Sequence, residues 1–262
     1  MKKTDSTLMS IACGLLSLSV VWGLWELVGT QHWSFMRVFP PPSQFLADII
    51  RSNFHIGLGT QSATVQASII SSISRVFGGM ALGFFASVVV GFSISISPWT
   101  KRFILPLIQV LAPIAPIAWI PLAIVMLGIG NHTALFIVFM GVFFTLTIAT
   151  VQAVEMVPEH LHHTAITLGA NRRQIWQHVV LPHILPSVFT ILRLNFIAAW
   201  MAVLAAEMTG LRDGLGAIIN VGRNLFDYNL ILLGMSLIGL VGFLGDATLR
   251  LLQRKFFWWG NK

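Results

Sequence analysis

The 262-residue chain has little charge, since Asp, Glu, Lys and Arg together make up only 10% of it. A soluble domain carries about a quarter charged residues, so the composition excludes an ordinary soluble protein. The single cysteine, Cys13, excludes a disulfide framework and a zinc site built on cysteines. The sequence contains no Gly-x-x-x-x-Gly-Lys-[Ser/Thr] pattern, so no P-loop can hold the phosphates of ATP here.

Hydrophobic residues, in contrast, make up 56% of the chain, and the mean hydropathy is +0.82. They form runs close to the ~20 residues that cross a bilayer as a helix. A membrane barrel would show shorter, alternating segments. The sequence therefore predicts an all-α polytopic membrane protein with about six spans, near residues 8–29, 76–97, 103–127, 133–152, 187–206 and 229–249.

The net charge of +7 is concentrated in alternate connections between these runs, at Lys101, Arg102, Arg172, Arg173, Arg250, Arg254 and Lys255. The positive-inside rule assigns such connections to the cytosol. This pattern predicts that both termini are cytosolic, and it explains the positive charge without nucleic acid.

The second predicted span carries a row of small residues, with Gly79, Gly83, Ser87 and Gly91 at intervals of four. Lipid offers no hydrophobic drive for helix association, so membrane helices associate through close packing. We expect another helix to approach this face closely.

The third predicted span is interrupted by proline. Each proline removes a backbone donor and clashes with the preceding helical turn. Broken backbone at membrane depth is tolerated only where protein or a water-filled cavity satisfies it. We therefore expect this span to line a pathway, and a helix that is merely kinked for packing is the alternative. The candidate pathway residues on it are Pro113, Pro116, Trp119 and Pro121.

Ionisable residues in or near a span are functional candidates. Arg193 and Glu207 lie in or beside the fifth predicted span, and Asn195 joins them as a candidate pathway residue. Glu207 falls near the outer end, where we expect hydration, and both a structural and a pathway role are open for it. Asp246 precedes Arg250 by four residues, which predicts an ordinary helix ion pair.

The longest polar interval between spans is residues 155–186. Its pattern predicts one amphipathic helix from Val154 to Leu168, followed by a sharp turn at Gly169, where positive φ is needed. Asn171 is expected to cap a second helix. Such a helix–glycine–helix unit is typical of a docking surface.

The second of these helices has Trp176 at its centre. A short exposed helix with a large aromatic side chain suits insertion into a groove of a partner. Pro182 and Pro186 are expected to turn the chain into the fifth span.

The spacing Ala165-x3-Gly169-x9-Val179-x-Leu181-Pro182 resembles the EAA loop of binding-protein-dependent ABC importer permeases. Other stretches resemble the nitrate/sulfonate/taurine-type branch of that family: Phe39–Pro42, Pro113–Leu122, Gly128–Gly130, Ala205–Glu207 and Gly214–Gly216. The likeness covers about residues 39–245. The leading Glu-Ala of the motif falls on His163 and Thr164 and its isoleucine is Val179, which puts in doubt a salt bridge from that glutamate.

The resemblance implies a type I ABC importer permease fold in a bacterial inner membrane, with residues 155–186 acting as a coupling loop. The implied ATPase-coupling residues are His163, Thr164, Ala165, Gly169, Ala170, Asn171, Arg172, Arg173, Ile175, Trp176, Leu181 and Pro182. It also implies two ATPase subunits that hold ATP and Mg, so that this chain has no cofactor of its own. A second permease chain, as a homodimer, and an external solute-binding protein, periplasmic or lipid-anchored, complete the implied assembly.

The implied cargo is a small solute, expected to be an anion such as nitrate, taurine or another sulfonate, or bicarbonate. A gradient-driven secondary transporter or channel without an ATPase is the alternative, but it predicts related halves, and residues 1–131 and 132–262 show no repeat. An intramembrane enzyme would need a nucleophile–base set or a metal, and neither Gly-x-Ser-x-Gly nor His-Glu-x-x-His is present. Five histidines lie between His160 and His183, but their spacing matches no zinc motif. We expect no catalytic residue and no metal.

Overall fold

The computed structural model describes residues 2–30, 40–51, 55–56 and 63–256. Phe39, part of the family-like stretch Phe39–Pro42, lies outside the described residues. The described α-helices are α1 Lys2–Thr30, α2 Pro42–Arg51, α3 Val65–Ile96, α4 Pro98–Leu111, α5 Ile120–Leu127, α6 Asn131–Glu155, α7 Glu159–Thr167, α8 Arg172–Ile175, α9 Leu181–Glu207, α10 Leu215–Leu225 and α11 Tyr228–Phe256. A 3-10 helix, Pro116–Trp119, precedes α5, and a π-helical turn, Trp176–Val180, precedes α9. The short strands β1 His55–Ile56 and β2 Ala63–Thr64 pair antiparallel.

Four continuous helical segments in the described part of the chain are long and apolar enough to cross a membrane: α3, α6, residues 172–207 and α11. The bent pair of α4 with the 3-10 helix and α5 makes a fifth if the pair forms one span. Each of the other predicted spans lies wholly or almost wholly inside one helix. These are 8–29 in α1, 76–97 in α3 except for its last residue, 133–152 in α6, 187–206 in α9 and 229–249 in α11. The membrane-protein class is confirmed, and six crossings remain a prediction that also needs α1.

Helices α3, α6 and α9 form the core of the bundle. The row of small residues on α3 faces α6, where a Cβ at Gly79 would lie 2.6 Å from the Cβ of Val138 and one at Gly91 would lie 2.8 Å from the Cβ of Thr150. Only glycine permits this approach of the two backbones. The predicted close packing against the small-residue face is confirmed.

The third predicted span, 103–127, is broken more sharply than a kinked helix. α4 already begins at Pro98, contains Pro106 without ending there, and stops at Leu111. The axis then bends by 94° before the chain continues through the 3-10 helix into α5. Pro113 and Pro116 have no N–H to continue the α-helical ladder, which is the physical reason for the break.

Two predictions for residues 155–186 are wrong. The expected helix from Val154 to Leu168 is two helices, because α6 ends at Glu155 and α7 starts after Pro158, whose extended ψ of 132° cannot continue a helix. Pro182 and Pro186 do not turn the chain, since the helix runs without interruption from Arg172 to Glu207. The extra residue in the π-helical turn shifts the hydrogen-bond ladder just before Pro182, so its ring is accommodated in the first turn of α9.

The chain places its polar segments at two opposite ends of the bundle. The α10 end holds the start of α3, the start of α6, the end of α9 and α10, and the short helix α2 is fixed nearby through Asp48, which accepts from Asn229 at 2.8 Å. The α7 end holds the end of α6, α7, α8 and the ion pair between Lys101 and Glu155. These names are used for the two ends below.

Candidate functional site

The turn between α7 and α8 is fixed by backbone geometry and one capping box. Gly169 has φ +78°, a conformation that side chains rarely adopt, and no atom would contact a Cβ there. Asn171 accepts from the Gln174 backbone N–H at 2.9 Å, and the Gln174 side chain accepts from the Asn171 N–H at 2.8 Å. The structure therefore confirms the predicted turn at Gly169 and the predicted cap at Asn171.

Only two side chains of the α7–α8 unit are fully buried, Ala165 and Ile175, which hold it against the body of the protein. The large apolar side chains on its surface are Ile166 and Leu168, exposed by 53% and 82%. These two side chains are candidates for contact with another protein, because the rest of the segment is polar.

The expectation that Trp176 inserts into a partner is not supported by its position. Trp176 is half-buried, and its ring lies 5.5 Å from that of Phe92 in an edge-to-face arrangement. It therefore attaches the loop to α3 within the same chain. Among the other implied coupling residues, Ala170, Leu181 and Pro182 are half-buried, and the exposed ones are His163, Thr164, Gly169, Asn171, Arg172 and Arg173. Their contact with an ATPase stays a prediction.

A cluster of charged groups lies buried at the α10 end, and we call it the Glu207 cluster (Ser71, Ser72, Arg75, Asn131, Glu207 and Asp213). Arg75 is 3% exposed and Glu207 is 0% exposed. The Arg75 guanidinium donates to Glu207 Oε1 at 2.9 Å, to Asp213 Oδ1 at 2.7 Å and to Asn131 Oδ1 at 2.8 Å. It also donates to the backbone carbonyl of Asp213 at 2.9 Å, so one cation ties α3 to α6, α9 and the segment before α10.

Two glycines form a cradle around the Glu207 carboxylate. A Cβ at Gly214 would lie 2.3 Å from Glu207 Cδ, and one at Gly216 would lie 2.4 Å from the carbonyl oxygen of Leu204. The Gly216 N–H donates to Glu207 Oε2 at 2.9 Å, and Ser72 donates to the same carboxylate while it accepts from the Leu215 N–H. The carboxylate thus caps the N-terminus of α10, where the helix dipole favours a negative charge. The two family-like stretches, Ala205–Glu207 and Gly214–Gly216, are brought together by this contact.

The expected hydration of Glu207 is wrong, because its carboxylate is enclosed by protein groups. Of the two roles that the sequence leaves open for it, the geometry favours the structural one. Asp213 lies at the edge of the cluster with a side chain 40% exposed. Burial opposes its ionisation, but hydrogen bonds from Ser71 and Arg75 together with the guanidinium charge outweigh this effect, so the pKa of Asp213 lies below its ordinary value.

Sequence reasoning missed Arg75, Asn131 and Asp213 as members of one site. The pattern of charges along the sequence does not assign Arg75 to either side of the membrane. A usable signal existed, since Arg75 is the one charged residue of the 32-residue helix α3 and follows Ser68 and Ser72 by whole helical turns. Such a residue faces protein rather than lipid.

The other candidate pathway residues do not converge on one point. Arg193 donates to Asp246 Oδ1 at 3.0 Å, and Arg250 donates to the same carboxylate, also at 3.0 Å, which confirms the predicted Asp246–Arg250 pair. Asn195, two residues later on α9, faces α6, where it accepts from Thr145 at 3.2 Å. Trp119 stacks on Phe144 with ring centroids 6.3 Å apart. Pro121 lies in the first turn of α5, while Pro113 and Pro116 flank the break.

No part of this arrangement has the composition of a catalytic centre. Within residues 2–30, 40–51, 55–56 and 63–256, no group of three or more His, Cys, Asp or Glu side chains could hold a metal ion. The contacts that the described site residues make are packing, hydrogen bonding and ion pairing.

The family model of the binding-protein-dependent transport system inner membrane component matches residues 79–258, which is more than half of the chain. A putative ABC transporter permease protein of Methanocaldococcus jannaschii is 34% identical over 258 residues, covering 98% of this chain and 94% of the relative. The taurine transport system permease protein of Escherichia coli is 26% identical over 93% of this chain and 88% of its own length. The bicarbonate transport system permease protein of Synechococcus elongatus is 27% identical, with 97% and 90% covered.

The fold has counterparts among solved structures as well. A chain of an amino acid ABC transporter, crystallised with histidines, superimposes with a TM-score of 0.62 at 13% identity, over 81% of this chain and 97% of that chain. At this identity the likeness concerns the fold alone, and it confirms the type I importer permease architecture. The extent of the family match, together with the 34% identity to an archaeal permease, displaces the gradient-driven alternative: the chain belongs to the family of binding-protein-dependent transport system inner membrane components, as a membrane-spanning permease subunit of an ABC importer.

Proposed function

We propose that this permease docks on an ATPase subunit through α7, Gly169 and α8, and that closure of the ATPases moves its spans. The observation that carries the proposal is the uninterrupted helix from Arg172 to Glu207. A displacement of α8 would pass along this one rigid element from the α7 end to the Glu207 cluster. The coupling mechanism is alternating access, in which the spans rock around a central pathway.

The chemistry of the loop surface supports the same proposal. Leu168, next to the Gly169 turn, is the most exposed large apolar side chain of the α7–α8 unit. An apolar anchor of this kind fills a pocket on a partner, while the surrounding polar residues form the rim of the contact. Ala165 and Ile175 are buried, so they hold the α7–α8 unit, and Leu168 with it, against the body of the protein.

The assembly that we propose has two copies of this chain on two ATPase subunits, which hold ATP and Mg. An external binding protein delivers the solute to the α10 end. The orientation is supported by charge, because the α7 end and the adjoining end of α11 carry the basic residues Lys101, Arg102, Arg172, Arg173, Arg254 and Lys255. Both termini are then cytosolic.

The docking surface can be tested with Leu168→Asp and its control Leu168→Met. Burial of one Leu side chain contributes about 1.5–3 kcal/mol, so placing a carboxylate there should weaken ATPase binding by roughly tenfold or more. The measurement is recovery of a P-loop ATPase with the tagged chain in mild detergent. Leu168→Met should retain the ATPase.

A second pair of variants addresses the turn. Gly169→Val requires a β-branched residue at φ +78°, a strain of about 1–3 kcal/mol, whereas Gly169→Asn tolerates left-handed backbone. Loss of the ATPase with valine and its retention with asparagine would support the proposal. If Leu168→Asp and Gly169→Val both keep the ATPase at full yield, this loop is not the docking site.

The solute that we propose is a small anion of the nitrate, sulfonate or bicarbonate kind. The support is that two relatives are permease proteins of a taurine and a bicarbonate transport system. Uptake of labelled taurine, nitrate and bicarbonate is measured in cells with the intact chain and in cells with Leu168→Asp. Uptake of one of these three solutes that depends on the intact chain supports the proposal, and delivery only of solutes without a sulfonate, nitrate or carboxylate-type anionic group would contradict it.

A further inference from the structure

A polar pair lies midway along two membrane helices. The Thr145 hydroxyl, on α6, lies 3.2 Å from Asn195 Oδ1, on α9, and shares its hydrogen with the Val142 carbonyl at 3.1 Å. Asn195 Nδ2 donates to the Ile191 carbonyl at 3.0 Å, which is the one acceptor for this amide among the described residues. Its second hydrogen is therefore available. Thr145 is exposed and Asn195 is half-buried.

The pair lies beside the break in the chain between α4 and α5. Gly141 precedes Thr145 by one helical turn, and a Cβ at Gly141 would lie 2.9 Å from Pro116 Cγ. The 3-10 helix that starts at Pro116 packs against both α6 and α9. The broken backbone and the polar pair therefore belong to one surface.

The broken segment itself is not covered by this chain, since Pro113, Ile114 and Ala115 are all exposed. Non-helical backbone at membrane depth has no partner in lipid, so it is found where protein covers it or where it lines a water-filled cavity. The adjoining positions Ala118 and Ala198 are small and exposed, which leaves room beside the pair.

A second exposed surface of the same protein has a different composition. Near the middle of α3 the exposed side chains are Leu82, Phe85 and Val89, at 57%, 67% and 65%. They are large and apolar, as expected against acyl chains. In hydrocarbon, the second amide hydrogen of Asn195 would have no acceptor among the described residues.

We propose that Thr145 and Asn195 line the solute pathway at the break and contact the solute by hydrogen bonds. The free amide hydrogen of Asn195 is a donor, so the chemistry fits a small solute that carries acceptor oxygens, such as an oxyanion or a sulfonate. Neutral donors bind such a group weakly enough to release it, which conduction through a pathway requires. This inference rests on the proposed transport function and adds α6 to the helices that line the pathway.

Cysteine accessibility tests the pathway without a known solute. Cys13→Ser removes the single cysteine, and Thr145→Cys, Asn195→Cys and Phe85→Cys are then compared in membrane vesicles, with and without ATP. The probes are the sulfonatoethyl and trimethylammonioethyl methanethiosulfonates. The reaction rate of each probe with each cysteine is divided by the rate of the same probe with a small free thiol in solution.

We expect Thr145→Cys and Asn195→Cys to react at least about tenfold faster than Phe85→Cys in one nucleotide state, because only the thiolate reacts and apolar surroundings suppress it. The anionic probe should react with Asn195→Cys at least as fast as the cationic one after normalisation. Rates equal to that of Phe85→Cys in both states would overturn the inference. A clear preference for the cationic probe would overturn the solute class.

This result is independent of the ATPase test. An inaccessible pair in a chain that still recovers its ATPase would refute the pathway inference and leave the proposed function intact. Accessible cysteines in a chain that never recovers an ATPase would support the pathway inference and refute the proposed docking on an ATPase.

Discussion

The protein has two clusters in which arginine side chains pair with carboxylates. The clusters differ in how many hydrogen-bond acceptors surround each arginine. In the Glu207 cluster, Arg75 is buried and donates to side chains or carbonyls on three other segments of the chain. Near the middle of α9, Arg193 pairs with Asp246 of α11, which also pairs with Arg250, so this group joins two helices, with side chains exposed by 25%, 17% and 52%. We call this second group the Asp246 cluster.

The difference shows what burial demands of a charge. A buried ion pair loses its hydration, and only several well-placed hydrogen bonds offset that loss. The Glu207 carboxylate accepts from three groups, the Ser72 hydroxyl, the Arg75 guanidinium and the Gly216 N–H. Among the described residues, the Asp246 carboxylate accepts only from its two arginines. We therefore expect the Glu207 cluster to fix tertiary structure and the Asp246 cluster to be tolerant of change.

The largest loss of stability is expected from Arg75→Met. It leaves the Glu207 carboxylate buried without its cation, which should lower the free energy of unfolding by about 3–5 kcal/mol. Denaturant unfolding in one detergent measures this change. The double variant Arg75→Met/Glu207→Gln should be more stable than Arg75→Met alone, because the uncompensated charge is gone. If Arg75→Met changes stability no more than Asp246→Asn does, the contrast between the clusters is wrong.

An intermediate effect is expected from Gly214→Ala. The position has φ +115°, and the new Cβ would lie 2.3 Å from Glu207 Cδ, so the cradle must open at a cost of about 1–3 kcal/mol. Gly239→Ala, in the interior of α11 with nothing within 4 Å, is the matched control. It should leave stability unchanged or raise it by about 0.5–1 kcal/mol. Equal losses from the two variants would mean that the cradle does not act on Glu207.

The smallest effect is expected from Asp246→Asn. Arg250 is half exposed, so solvent screens its charge and the pair should contribute about 1 kcal/mol or less. The same unfolding measurement applies, and recovery of the ATPase serves as a check that the α7 end is intact. A loss comparable to that of Arg75→Met would show that the Asp246 cluster is also a structural centre.

The features that could be predicted from sequence are those that depend on neighbours along the chain. The helices that contain the predicted spans follow from apolar runs, the Gly169 turn from a residue that tolerates positive φ, and the Asn171 cap from a side chain three residues before Gln174. The packing of α3 on α6 follows from glycines at intervals of four. Each of these depends on one short segment.

The features that could not be predicted depend on which segments meet. The prolines indicate where the helix between α4 and α5 breaks, but they do not specify the 94° bend. That angle depends on how the broken segment packs against α6 and α9. Trp176 resembled a free anchor in the sequence, yet it packs on Phe92, and Pro182 fits a continuous helix because a π-helical turn precedes it.

The sequence by itself determined a membrane protein, its apolar helices, the glycine turn and the family-like stretches, because hydropathy and backbone preferences act over a few residues. Only the tertiary structure decided that Arg75 meets Glu207 and Asp213, which lie 132 and 138 residues away along the chain. It also decided that Thr145 meets Asn195 beside the break. Contacts at such separation depend on the packing of whole helices, and no local pattern of residues specifies that packing.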